Sequence, residues 1–161
     1  MMNPFWFWSD CKNGKLKEAK EALEAGADPN TVRRKMTCLM AATLHNRAEM
    51  VALLLSQPGI DVNAKDDQGN TAFHVACYKG NVAILRLFLA APGMLHNERN
   101  NLGETPILRA IKFVKIEAVR LMAEVAEVDL DVTDNQGRSL EEFAIKNLND
   151  RWVVLDYVQF T

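Results

Sequence analysis

Three histidines (His45, His74, His96), three cysteines (Cys11, Cys38, Cys77) and two acidic pairs (Asp66-Asp67, Glu141-Glu142) are the side chains best suited to proton transfer, nucleophilic attack or metal binding. Their spacing assembles none of these. No Ser/His/Asp order, no GxGxxG or GxxxxGK phosphate loop and no HExxH occurs. The cysteines are odd in number and form no CxxC pair, which argues against a disulfide framework and a zinc site and favours a reducing compartment. The expectation is a chain without catalytic, cofactor or metal residues, and not an enzyme.

The elements that position these residues are repeated. The clearest copy runs Asp66-Asp67-Gln68-Gly69-Asn70-Thr71-Ala72-Phe73-His74-Val75-Ala76-Cys77-Tyr78-Lys79-Gly80-Asn81: a tight turn, a capped helix start, a short helix and a glycine stop. A step of 34 residues carries Thr71 to Thr37, Thr105 and Ser139, and Ala76 to Ala42, Ala110 and Ala144. The same step carries Gly69 to Gly103 and Gly137. Each unit is too small to bury its own apolar face, so interior positions recur at the structural period. His74 then belongs to a helix cap rather than to a reaction.

Composition agrees with a globular chain. Of 161 residues, 48% are hydrophobic and 25% charged, enough apolar material for a continuous core. The net charge of -2 predicts neither a nucleic-acid binder nor a membrane-surface protein, so such a partner would have to be read by a local patch. Residues 1–10 lack a basic lead-in and a long apolar run, and no stretch approaches the ~18 apolar residues of a membrane span. A cytoplasmic protein, with a nuclear location as the alternative, is the expectation.

A 33-residue class of period with a Thr-x-x-His-x-Ala core resembles the ankyrin repeat. In size and cap style the chain is similar to small free-standing, myotrophin-like adaptors, through Lys12-Asn13-Gly14 after an aromatic-rich first helix. The resemblance implies an all-α fold: an ankyrin-repeat α-solenoid of antiparallel helix pairs joined by β-hairpin fingers. One domain, 1–161, would divide into an N-terminal cap (1–30), repeats at 31–62, 63–96 and 97–130, and a C-terminal cap repeat (131–161). Departures carry expectations of their own. The turn Val32 to Met36 lacks glycine and should form an altered hairpin. Val114 stands in the Gly80 slot and should not accept a left-handed turn, so the first helix of repeat three should turn differently or run on, and the second should span Ile116 to Val125. Trp152, Val153, Leu155, Tyr157 and Val158 should close the core.

The resemblance further implies protein–protein binding through a concave surface of hairpin tips and first-helix edges. Carried slot by slot, the tips are Arg33, Arg34, Lys65, Asp67, Gln68, Asn70, Arg99, Leu102 and Glu104; the helix edges are Leu44, His45, Tyr78, Lys79, Lys112 and Phe113. Basic residues outnumber acidic ones in this set, which suits a protein or peptide partner with acidic and apolar residues, anchored on Tyr78 and Phe113. No nucleic acid or membrane is expected, and a monomer is favoured over a homodimer. The alternative is self-association through the aromatic start Phe5-Trp6-Phe7-Trp8. Asn63 and Asn97 match the pattern of asparagines hydroxylated in ankyrin repeats.

Overall fold

The structure, a computed structural model, describes residues 4–147. The residues expected to close the core beyond 147 (Trp152, Val153, Leu155, Tyr157 and Val158) lie outside the described residues. Short apolar helices alternate with turns: α1 (Pro4–Asn13) and α2 (Leu16–Glu24), α3 (Cys38–Leu44) and α4 (Ala48–Leu55), α5 (Ala72–Lys79) and α6 (Val82–Leu89), α7 (Pro106–Lys112) and α8 (Ile116–Ala123), then α9 (Leu140–Asn147). Between α2 and α3 lies an antiparallel hairpin, β1 (Val32–Arg33) and β2 (Met36–Thr37), pairing Val32 with Thr37 and Arg33 with Met36.

Helices of seven or eight residues are too short to persist alone, so stacking holds them. First helices pack on first helices, α1 on α3, α3 on α5, α5 on α7 and α7 on α9; second helices do likewise, α4 on α6 and α6 on α8. Phe7, Leu39, Met40, Phe73, Phe88, Leu108 and Ile111 fill the shared core. Ala42, Ala76, Ala110 and Ala144 are buried where first helices approach one another. The result is the expected stacked, all-α array.

Helix starts differ by one side chain. In α5 the Thr71 Oγ1 accepts from the His74 backbone N–H, and His74 Nδ1 accepts from the Thr71 N–H at 3.1 Å, a reciprocal capping box. In α3 Thr37 Oγ1 accepts from Met40 N. Thr105 caps α7 without a side-chain bond, and its buried hydroxyl has no partner among the described residues. Leu108 stands there where His74 stands in α5, so the reciprocal side-chain bond of the capping box is absent from α7.

Two turns settle the expectations about irregular copies. Arg34 and Lys35 adopt φ of 49° and 65°, a two-residue loop with both residues left-handed, so the glycine-free hairpin does form and is altered as expected. The expectation for Val114 is overturned. The α7 helix stops at Lys112, and Val114 itself takes φ 56°, as Asn46 (57°) and Gly80 (70°) do in their repeats. Lys115 N–H bonds Ala110 O at 2.9 Å, as Arg47 N–H bonds Ala42 O, so packing of α8 against α6 and α7 imposes the turn on an unsuited residue. The α8 helix ends at Ala123, two residues before the expected Val125. A β-branched residue in this region is strained by about 1–2 kcal/mol, against a glycine entropy cost of about 0.5–1 kcal/mol. Val114→Gly should therefore raise stability by about 1 kcal/mol, read as a higher midpoint in urea at unchanged slope.

Candidate functional site

The fingers preceding α5, α7 and α9 are each built on one carboxylate or amide. Asp66 Oδ1 accepts from the Gln68 and Asn70 N–H groups, Asn100 Oδ1 from Leu102 and Glu104, and Asp134 Oδ1 from Gln136 and Arg138, at 2.8–3.0 Å throughout. Each finger then bonds to the next. Asn101 donates its N–H to Gln68 O at 2.9 Å and its Nδ2 to Asp67 O at 3.0 Å; Asn135 makes the corresponding bonds to Leu102 O and Asn101 O. A Cβ on Gly69 would lie 2.6 Å from Asn101 Oδ1 and 2.9 Å from Asn101 N, so this close approach requires glycine there, at φ +75°. The tips thus form a continuous comb with fixed spacing.

Beneath the comb the first helices present a surface centred on repeats two and three. The Tyr78 and Phe113 rings meet edge to face, with centroids 4.6 Å apart and planes at 85°. They remain 36% and 38% exposed, large for aromatic rings already in mutual contact. The Arg109 guanidinium lies 5.7 Å from the Tyr78 centroid and 5.3 Å from that of Phe113. Glu104 holds this cluster from below. Its Oε1 is 2.5 Å from Lys112 Nζ, and its Oε2 accepts from Asn100 Nδ2 at 3.3 Å and lies 3.5 Å from Arg109 Nη1. Burial pushes the Glu104 carboxyl up, but the Lys112 ammonium, the Asn100 amide and Arg109 together hold it below its ordinary value. A cleft of about 260 Å³ between the fingers, lined by Asp67, Gln68, Asn70, Asn100, Asn101, Leu102 and Arg109, adjoins the aromatic pair through Arg109.

Of the residues assigned to this surface from sequence, Arg34, His45, Lys65, Asp67, Gln68, Tyr78, Arg99, Leu102 and Phe113 are exposed; Arg33, Leu44, Lys79 and Lys112 are partly so. Two assignments are corrected. Asn70 is only 4% exposed, and Glu104 is fully buried. Both are spent inside the finger network, where Asn70 Oδ1 accepts from Asn100 Nδ2 at 2.9 Å. Some tip charges are also already paired, Lys65 with Glu98 at 2.5 Å and Asp67 with Lys35 at 2.7 Å. Arg109 was not among the sequence candidates. Its signal was available: one step of 34 back stands Val75 and two steps back Ala41, so a charge replaces apolar residues.

Two aromatics of the N-terminal start are consumed by the fold. Phe7 and Trp8 are buried, and the Trp8 indole N–H donates to Met36 O at 3.0 Å, tying α1 to the hairpin. Trp6, by contrast, is 61% exposed, so of the two tryptophans it is Trp6 that faces outward. Asn63 and Asn97 are brackets between loops. Asn63 Nδ2 donates to Gly93 O at 2.8 Å while its Oδ1 accepts from Leu95 N–H at 3.0 Å. Asn97 spans Glu127 O and Asp129 N–H in the same way, and Asn30 spans Gly59 O and Asp61 N–H. Asn63→Ala should cost about 1–2 kcal/mol by orphaning both backbone groups, measurable as a lowered urea midpoint.

A family profile for ankyrin repeats, in three copies, matches residues 8–100. The chain belongs to the ankyrin-repeat family. Ankyrin repeats are protein–protein interaction modules, and the exposed aromatic pair lies on the inner-helix surface of this array. Among curated proteins the chain is similar to SMC5-SMC6 complex localization factor protein 1 of Homo sapiens, 30% identical over 126 residues covering 71% of this chain and 12% of the relative. It is similar to Rabankyrin-5 of Homo sapiens, 29% identical over 122 residues covering 76% of this chain and 10% of the relative. A third relative, protein fem-1 homolog A-like of Mus musculus, is 36% identical over 78 residues, 48% of this chain and 12% of its own length. The chain therefore spans about one-tenth of the length of these relatives, and the likeness concerns the repeat array they contain. No described helix is long and apolar enough to cross a membrane, and no group of three or more metal-binding side chains occurs among the described residues.

Proposed function

We propose that this ankyrin array acts as a non-enzymatic adaptor, holding a segment of another protein against the first helices and finger flanks of repeats two and three. The observation that carries the reading is the Tyr78–Phe113 pair. Two aromatic rings in mutual contact keep a third of their surface open, with Arg109 against both and a buried carboxylate balancing that charge from beneath. Rigid aromatics on a preorganised base supply apolar anchoring at small entropic loss. Lys79, next to Tyr78 in α5 and without an ion-pair partner among the described residues, adds charge that favours acidic residues beside the anchor. A partner segment with an apolar residue among acidic ones fits this description.

Selection from a random peptide library on the purified protein tests the reading. An apolar anchor flanked by acidic residues should emerge, and the Tyr78→Ala/Phe113→Ala protein should fail to enrich it. Enrichment of the same peptides by both proteins would sink the proposal. A monomer, cytoplasmic or nuclear, belongs to the same reading; the three buried, free cysteines support its reducing compartment. Hydroxylation of Asn63 or Asn97 at Cβ would be compatible with both amide brackets, and intact mass after expression in animal cells would reveal the added oxygen.

A further inference from the structure

The ends of the first helices carry a second feature, away from the finger comb. Lys12 closes α1, His45 follows α3 and Lys79 closes α5, one per repeat. Arg47 and Lys115 begin the turn into α4 and α8. The stems of these last two are pinned. Arg47 lies across the turn of the preceding unit, so that a Cβ on Gly14 would meet its Cδ at 2.8 Å, and its Nε donates to Lys12 O at 3.3 Å. Lys115 crosses the Gly80 turn in the same manner, its Cδ 2.7 Å from where a Cβ would stand. Among the described residues, no carboxylate lies within ion-pair distance of Lys12, Arg47, Lys79 or Lys115. In a chain of net charge -2, that is a concentrated and unneutralised basic rim.

We infer that this rim is the docking line for an acidic, extended peptide segment with glutamate or aspartate at every third position, running from Lys12 past Arg47 and Lys79 to an apolar residue seated on Tyr78 and Phe113. The inference rests on the adaptor reading and names the chemistry and spacing of its partner. The spacing follows from stacking. Packed helices stand about 8–10 Å apart, so the rim offers one basic position per unit at that interval: Lys12 with Arg47 laid beside it, then His45, then Lys79 with Lys115 laid beside it. A segment in the extended polyproline-II form advances about 3.1 Å per residue with three residues per turn, so every third carboxylate falls on the same face, about 9 Å further along. Pinned stems mean that little side-chain freedom is lost when the charges engage. His45 stands within the line, facing Lys12 of α1, Arg47 of α4 and Lys79 of α5; burial first and then these three cations hold its imidazole below its ordinary value. An acidic residue laid beside it favours the charged imidazole, so the ring reports occupancy.

The test uses fluorescein-labelled peptides and the full chain, with anisotropy as the readout. One peptide carries four glutamates spaced by Ser-Gly and ends in Leu-Phe; a second has the same composition with the glutamates contiguous; a third probe is single-stranded DNA of similar length. The first peptide should bind at least tenfold tighter than the second, and Lys12→Glu/Lys79→Glu should weaken it at least tenfold at unchanged melting temperature. His45 should titrate at higher pH in the bound state, by NMR. Lys79→Gln, which leaves the surface uncharged rather than reversed, should give a smaller loss of the same sign. Equal binding of the two peptides, indifference to the charge variants, or tighter binding of the DNA each overturns the inference. The adaptor reading fails separately, if library selection on the wild-type protein gives peptides that the Tyr78/Phe113 variant retains.

Discussion

The Tyr78→Ala/Phe113→Ala protein should bind its selected peptide at least about a hundredfold more weakly than the wild type while still melting cooperatively. Truncating a central aromatic anchor commonly costs about 2 kcal/mol or more of binding, and each 1.4 kcal/mol is tenfold in affinity. The fold should be weakened but remain cooperative. Both rings sit at the ends of α5 and α7, and neither is among the buried core residues. Their removal takes away one edge-to-face contact, worth about 0.5–1.5 kcal/mol, together with the Arg109 contacts and the covered part of each ring. Titration calorimetry beside a thermal melt separates the two effects. Arg109 makes a useful second position. Arg109→Lys retains the charge near Glu104 but loses the planar group that meets both rings, so binding should weaken without the full loss seen for the aromatic pair.

Lowering the pH from 7 toward 4 should destabilise the array by about 3 kcal/mol through His74 alone. Burial lowers its pKa to about 4 from an ordinary 6.5, and each unit of difference is worth about 1.4 kcal/mol. The sign follows from proton counting. Between pH 6.5 and 4 the unfolded chain binds a proton at this histidine and the folded chain does not, so acid favours unfolding. The stabilisation is complete above the unfolded value and fades as the pH falls through this window. The geometry explains the neutral ring. Nδ1 accepts from the Thr71 N–H, and Nε2 carries the proton and donates to Glu104 O at 3.0 Å. A second proton on Nδ1 would face a donor. His45 shifts in the same direction but is exposed, and contributes little. Glu104 and Asp134 are held below their ordinary values, so their share is lost only at lower pH. His74→Gln should cost about 2 kcal/mol at neutral pH, by breaking the capping box and the bond to the next finger. It should also flatten the decline between pH 6.5 and 5, seen in urea midpoints across that range. A decline unchanged in the variant would refute the assignment.

The same histidine shows how far the sequence was legible. Thr71 and His74 at a three-residue spacing identified the cap, and the glycine and alanine slots identified the stacking. The bond from His74 to Glu104 crosses 30 residues, and no local pattern announces it. Glu104 was read as a surface residue because its slot lies on a finger. It is buried because Lys112 and Arg109, arriving from the following helix, turn a solvated carboxylate into the base of the aromatic cluster. Asn70 was misread for the same reason, since its partner Asn100 belongs to the next finger. Val114 failed in the opposite sense: local preference was read correctly, and stacking overrode it.

Residue type and period alone settle that this chain is an all-α stack of ankyrin repeats, because interior positions recur whenever identical units share one core. They also place Tyr78 and Phe113 at the ends of successive first helices. Charge is another matter. Which cations are neutralised and which stay open depends on neighbours one repeat away, about 34 residues along the chain. Lys65 and Asp67 look as available as Lys79 in the sequence, yet Glu98 and Lys35 occupy them. Only stacking brings such groups within ångströms of each other, and only the tertiary structure could separate the spent charges from the open rim.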